Sequence, residues 1–174
     1  MELIDVYNNN GKKTGKVVEI TRKDNEFEKN EHIGVAIIYI ENDNGEFLIQ
    51  KTSKQKGGLY SSTGGHISHG EEPIETIIRG TREELGIDIS NDKIIDMGYI
   101  LVDFPIRFIF YLKKNIDIKK IKLQKEETES VEYMSIEKIK KLIANNLMHK
   151  GHAKVLETVL NVKERINKWN TILL

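Results

Sequence analysis

Apolar residues recur along this chain in two rhythms, and the switch between them divides it. The first rhythm is alternating or continuous, rich in β-branched residues, and reads as strands. It covers Leu3 to Tyr7, Lys16 to Ile20, His32 to Ile40 and Glu46 to Thr52. Asn8-Asn9-Asn10-Gly11 and Asn42-Asp43-Asn44-Gly45 separate neighbouring runs and are strong turn signals. A β hairpin within residues 1–20 and a second across residues 32–52 are therefore expected. The run from His32 is apolar at nearly every position, as a strand buried on both faces requires. Thr21 to Glu31 is charged and expected to be exposed.

The rhythm then becomes helical. Ile74, Ile77, Ile78, Thr81 and Leu85 fall on one face at helical spacing. Pro73 suits the first turn of that helix and Gly86 its C-cap. Strands return at Lys93 to Asp103 and Ile106 to Leu112, turned around Phe104-Pro105, and briefly at Ser130 to Met134. Ser135 is a good N-cap for a helix from Ile136 to Asn145, and a final helix is expected from Ala153 to Trp169. Strands first, one helix among strands, and helices last predict an α/β fold, a mixed sheet sandwiched by helices. No break in composition suggests a boundary, so residues 1–174 are expected to form one domain.

Composition narrows the function. Lys+Arg and Asp+Glu both total 27 in 174 residues, so the formal net charge is zero. Nothing pulls the whole chain toward nucleic acid or membrane, and neither partner is expected. The chain has no cysteine, which excludes disulfides, thiolate metal sites and a cysteine nucleophile. The N-terminus lacks the features of a signal peptide. The longest apolar run, Ile33 to Ile40, is far below the roughly 20 residues of a membrane helix. A cytoplasmic protein is expected.

The segment from Gly64 to Ile87, GGHISHGEEPIETIIRGTREELGI, carries the candidate chemistry. Glu83 and Glu84 are adjacent near the helix end, and a side chain at position 80 would stand one turn from Glu84. Glu71 precedes the helix start, where a carboxylate favours the helix dipole. Arg79 can reach an acidic neighbour such as Glu75, one turn earlier. Clustered carboxylates beside a glycine-rich loop suit a hard divalent cation that bridges to substrate phosphates.

This segment resembles the Nudix box, G-x5-E-x7-R-E-U-x-E-E-x-G-U, where U is a bulky apolar residue. Gly65, Glu71, Arg79, Glu83, Glu84, Gly86 and Ile87 stand at the matching positions. Two positions depart: Gly80 replaces a glutamate that in the family commonly binds metal or acts as general base, and Thr81 replaces the bulky apolar residue. Asp5-Val6-Tyr7, Gly11, Thr14-Gly15, His32 and Phe47-Leu48-Ile49-Gln50-Lys51 are similar to the branch related to isopentenyl-diphosphate isomerase. Glu126-Glu127 resembles the acidic loop that often completes a Nudix metal site, with Glu127 preferred.

The resemblance implies a Nudix-like α/β/α sandwich with a mixed sheet, residues 65–87 forming the loop-helix-loop box, and helices across residues 136–169. It implies a hydrolase acting on a diphosphate in a nucleoside diphosphate linked to another moiety. Mg²⁺, with Mn²⁺ as an alternative, would be held by Glu83, Glu84 and Glu127, which are also the catalytic candidates. Gly65, Glu71, Arg79 and Gly86 are motif residues, and Glu71 is read as pairing with Arg79 in preference to ligating. Lys51 and His66 are candidates for substrate binding, with Lys54 and Lys56 as further basic positions. His69 and His32 are read first as polar-surface and strand-end residues. Trp169 and the apolar C-terminus are read as packing or a homodimer contact. Two alternatives accompany this reading. One is a binding module that has lost catalysis, because of Gly80. The other, the isomerase, is disfavoured by the absence of cysteine.

Overall fold

The apolar run that begins at His32 becomes the strand around which the molecule is assembled. The computed structural model describes residues 2–21 and 26–173. The exposure expected of Thr21 to Glu31 therefore falls partly outside the described residues. Strands β1 (Leu3–Tyr7) and β2 (Lys13–Glu19) form the N-terminal antiparallel hairpin. β3 (His32–Glu41) is followed by β4 (Phe47–Thr52), β5 (Tyr60–Ser61) and β6 (Thr63–His66). Helix α1 (Pro73–Leu85) precedes β7 (Ile95–Leu101), β8 (Ile106–Lys113) and β9 (Thr128–Met134). Helices α2 (Ile136–Ala144) and α3 (Lys150–Ile172) end the chain.

Side chains along a strand alternate between faces, and β3 uses both. Ala36, Ile38 and Ile40 pack in one cluster with Ile77 and Leu85 of α1. Ile37 and Tyr39 pack in the other with Ile139 of α2 and Val155, Leu156 and Val159 of α3. The result is an α/β/α sandwich around a mixed sheet. β8 runs parallel to β3 from Gly34 to Glu41, while β1, β6 and β7 add antiparallel pairs.

The expected hairpin of residues 32–52 is present, but its ladder is short. β3 and β4 meet only at Glu41↔Phe47 and then diverge. β6 pairs β3 from Val35 to Ile38, and β9 pairs along β4. Thr63 to His66 is thus a strand, where a turn-glycine loop was expected. Gly64 makes it possible, since a Cβ there would lie 2.6 Å from the Ala36 carbonyl oxygen.

Other boundaries shift for local reasons. Ile74, expected on the inner face of α1, is 41% exposed, and Thr76 is buried instead. α3 starts three residues before the expected Ala153. His149 is its N-cap, its Nδ1 accepting from the Gly151 N–H at 3.2 Å. Gly151 lets that first turn approach Arg107, whose Nε would lie 2.7 Å from an added Cβ. Trp169, Ile172 and Leu173 lie outside the core, 67%, 76% and 79% exposed. Among the described residues no helix is long and apolar enough to cross a membrane.

Candidate active site

The loop between β6 and α1 is fastened from both sides. Gly70 takes a φ of 83°, a turn that glycine permits without strain. Its N–H donates to Asp5 Oδ2 at 3.0 Å, and His69 Nδ1 lies 2.7 Å from Asp5 Oδ1. Lys13 Nζ donates to the Glu71 carbonyl at 2.8 Å. The N-terminal hairpin therefore clamps the loop. Against the opposing effect of burial, His69, the Gly70 N–H and Lys13 Nζ, which also lies 3.2 Å from Asp5 Oδ2, hold the Asp5 carboxyl below its ordinary range.

Glu71 closes the other side. Arg79 Nε and Nη2 donate to its two oxygens at 2.6 and 2.9 Å, and Thr76 Oγ1 and the Ser68 N–H add further bonds. The Arg79 hydrogen bonds, chief among these contacts, take the Glu71 carboxyl down to about 2. Arg79 reaches Glu71 and not Glu75. Glu75 instead accepts from the Glu72 N–H at the helix start, at 2.8 Å. Arg79 Nη1 continues to Glu83 Oε2 at 3.1 Å and so links loop and helix end.

Glu83 and Glu84 open onto a cavity of about 480 Å³ that also contains Glu127 and Lys56. The three acidic residues come from two elements, α1 and the loop before β9. That loop is anchored by Tyr133, whose Oη donates to the Lys114 carbonyl at 2.9 Å and accepts from the Ile116 N–H at 3.0 Å. Gln50, buried in β4, donates from Nε2 to Glu84 Oε2 and to Thr63 Oγ1, both at 2.8 Å. Burial raises the Glu84 carboxyl to about 7; the Gln50 bond opposes the rise, while Glu83 and Glu127 add to it. Glu127 faces Lys56 at 3.1 Å.

The residues expected from sequence divide here. Glu83, Glu84 and Glu127 line one cavity, while Gly65 in β6, Glu71 in the loop, and Arg79 and Gly86 on and after the helix build the frame that presents two of them. Lys51 does not line it; its ammonium donates to Glu129 at 3.2 Å. His66 also lies outside the lining, as do Lys54 and Glu126. His32 is tied between Phe104 and Asn9, at 2.8 and 2.6 Å. Gly80 faces open space, with nothing within 4 Å of an added Cβ.

Sequence reasoning missed Gln50, His149 and His152 as cavity residues. His149 and His152 sit three apart across the first turn of α3, a spacing visible only once the helix is started at residue 150. His152 Nδ1 lies 2.8 Å from Ser62 Oγ. Burial, with His149 and Arg107 adding, lowers His152 to about 3, so its ring is neutral.

Among the described residues, no three side chains of histidine or acidic type are already drawn into an ion cage. Each carboxylate is instead occupied by one donor: Arg79 for Glu83, Gln50 for Glu84, Lys56 for Glu127. The donor set nevertheless fits a hard divalent cation, because it consists of oxygens. Glu84 in particular is an enclosed carboxyl beside two others with a neutral amide as its hydrogen-bond partner, an arrangement that a cation would stabilise in its ionised form.

A family model for the NUDIX domain matches residues 30–159, well over half of the chain. The 8-oxo-dGTP diphosphatase of Proteus vulgaris is 32% identical over 79 residues, covering 45% of this chain and 68% of that protein. The isopentenyl-diphosphate Delta-isomerase of Corynebacterium diphtheriae is 32% identical over 75 residues, 41% of this chain and 40% of that enzyme. A crystal structure of a Deinococcus radiodurans protein aligns over 90% of this chain and 99% of its own, with a TM-score of 0.73 at 16% identity.

Proposed function

Since this chain belongs to the Nudix hydrolase family, we propose that it hydrolyses a diphosphate linkage in a nucleoside diphosphate joined to another group. The observation that carries this reading is the meeting of Glu83, Glu84 and Glu127 with Lys56 on one cavity. Glu83, Glu84 and Glu127 would hold Mg²⁺, or Mn²⁺ in its place. The ion would neutralise charge on the diphosphate and make a bound water more acidic.

The protein's own groups do the rest. Lys56 donates to a phosphate oxygen of the substrate. In doing so it leaves Glu127, so that one oxygen of its carboxylate can face the ion while the other takes the proton of the attacking water. Glu127 fills the role that the family commonly gives to the position of Gly80. Gln50 orients Glu84, and Arg79 orients Glu83 while holding the loop through Glu71. The complete absence of cysteine argues against the isomerase chemistry.

The test is release of phosphate or nucleotide from a panel of nucleotide sugars, dinucleotide polyphosphates, oxidised nucleoside triphosphates and prenyl diphosphates. Each is run with Mg²⁺, with Mn²⁺ and with chelator. Wild type is expected to turn over a nucleoside diphosphate compound only with metal, and Glu84→Gln to lose at least about 100-fold in rate with the fold intact. Full activity in Glu84→Gln would sink the assignment. A silent wild type, with turnover gained in Gly80→Glu, would instead identify a binding module whose catalysis has been lost.

A further inference from the structure

A second cavity, also of about 480 Å³, adjoins the acidic one, and Leu59 and His149 line both. Ile143, Met148 and Ala153 supply its apolar walls, and Asn146, Lys150 and Lys154 are its polar lining. The shared wall is built in. The Tyr60 N–H donates to the Leu147 carbonyl and the His149 N–H to the Tyr60 carbonyl, both at 2.8 Å. Tyr60 and Met148 thereby form a parallel β-bridge, across which Leu59 and His149 stand diagonally, both lining the two cavities. Because His149 Nδ1 accepts from the Gly151 N–H, the neutral ring carries its proton on Nε2.

We propose that this annex holds the nucleobase of a nucleoside diphosphate substrate, with the His149 imidazole as the partition between base and diphosphate. The proposal rests on the hydrolase reading above and names where its substrate's specificity is set. A charged cavity joined to an apolar one matches a ligand with a charged end and a planar apolar end. The imidazole and the Met148 thioether both favour contact with an aromatic ring. Asn146 distinguishes a base from a hydrocarbon tail. Asn146 is exposed, its side-chain amide is engaged by no described residue and so is open to a ligand, and an asparagine amide pairs with the donor and acceptor edge of adenine. A prenyl chain would leave that amide idle. Asn146 holds a φ of 55°, so its place in the lining is set by the backbone turn that ends α2.

The experiment is calorimetric titration of the full chain with ADP, inorganic pyrophosphate and geranyl diphosphate in Mg²⁺. Wild type, Ala153→Phe and Asn146→Gly are compared. Phenylalanine at 153 fills the annex, and glycine at 146 keeps the positive φ while removing the amide. Wild type is expected to bind ADP at least about tenfold more tightly than pyrophosphate. The ratio of the two affinities is expected to fall about tenfold in Ala153→Phe and several-fold in Asn146→Gly. Should Ala153→Phe fail to fold, Asn146→Gly decides alone.

A ratio that stays constant in the folded variants overturns the annex and leaves the hydrolase reading standing. Loss of geranyl diphosphate binding in Ala153→Phe with ADP binding retained also overturns it, since the occupant is then an alkyl chain. A wild type that neither binds pyrophosphate or ADP nor hydrolyses any diphosphate overturns the hydrolase reading, and the annex with it.

Discussion

At the scale of the residue, Glu71 shows how a motif carboxylate can be structural. Its oxygens are taken by Arg79, Thr76 and the Ser68 N–H. Its carboxyl, at about 2, lies below the ordinary 4.5. A depressed carboxyl contributes stability that is present above the unfolded value and is lost as pH falls through the folded one. The pair should therefore stabilise the fold above about pH 4.5 and cease to do so near pH 2. After allowance for its partial exposure this is about 2 kcal/mol. Urea unfolding of Glu71→Gln at pH 7 should show a loss of that order. Between pH 4.5 and 2 the variant's stability should fall less steeply than the wild type's. A single-sequence reading could foresee this pair because the box spacing places Glu71 and Arg79 together. It could not foresee Gln50, which resembles any strand glutamine until β4 is seen to run beneath Glu84.

At the scale of the element, two glycines make opposite predictions. Gly64 lies in β6, where an added Cβ would meet the Ala36 carbonyl oxygen at 2.6 Å. Backbone cannot step aside as a flexible side chain can. Gly64→Ala should cost about 1–3 kcal/mol, and thermal unfolding would show it as a clear drop in Tm. Gly80 lies inside α1 with open space around it. Gly80→Ala should raise stability by about 0.5–1 kcal/mol, because glycine has the larger backbone entropy to lose. Equal or lower Tm in Gly80→Ala would mean that the helix uses the glycine in a way its surroundings do not explain. Helix α1 was legible in advance because its caps, proline and apolar stripe agree. β6 was not, because glycines usually mark turns and only a partner strand makes them a strand. The early start of α3 was hidden for a related reason: His149 is an uncommon N-cap, and Gly151 weakens a helix unless Arg107 needs the space.

At the scale of the whole molecule, His152 joins three parts of the fold. It lies on α3, its Nδ1 is beside Ser62, and its carbonyl accepts from Tyr39 Oη of β3 at 2.6 Å. Its value of about 3 lies below the ordinary 6.5, chiefly because it is buried. The unfolded chain takes up a proton at this residue as pH falls below 6.5, while the folded chain does not until about pH 3. Stability should therefore decline through that window. His152→Asn is expected to be less stable at pH 7 but to vary less between pH 6.5 and 4.5, above the range of Glu71. Denaturant unfolding across that range would test it, and an unchanged slope would place the acid sensitivity elsewhere.

The sequence by itself determined the two rhythms, and with them the α/β class, because burial on one helix face or on both faces of a strand imposes its own period. It also determined the Nudix box, since a loop-helix-loop that presents carboxylates is local and its spacing survives in one dimension. Tertiary structure alone decided which distant residues share a cavity with that box. Gln50, Lys56, Glu127, His149 and His152 reach it from four separate segments, and such meetings depend on strand pairing and loop anchoring that leave no periodic trace. It also decided which candidates stay outside. Lys51 has the right chemistry and follows Gln50 directly, but successive side chains along a strand point to opposite faces and its ammonium goes to Glu129, while His66 lies at the far end of β6, beyond the lining.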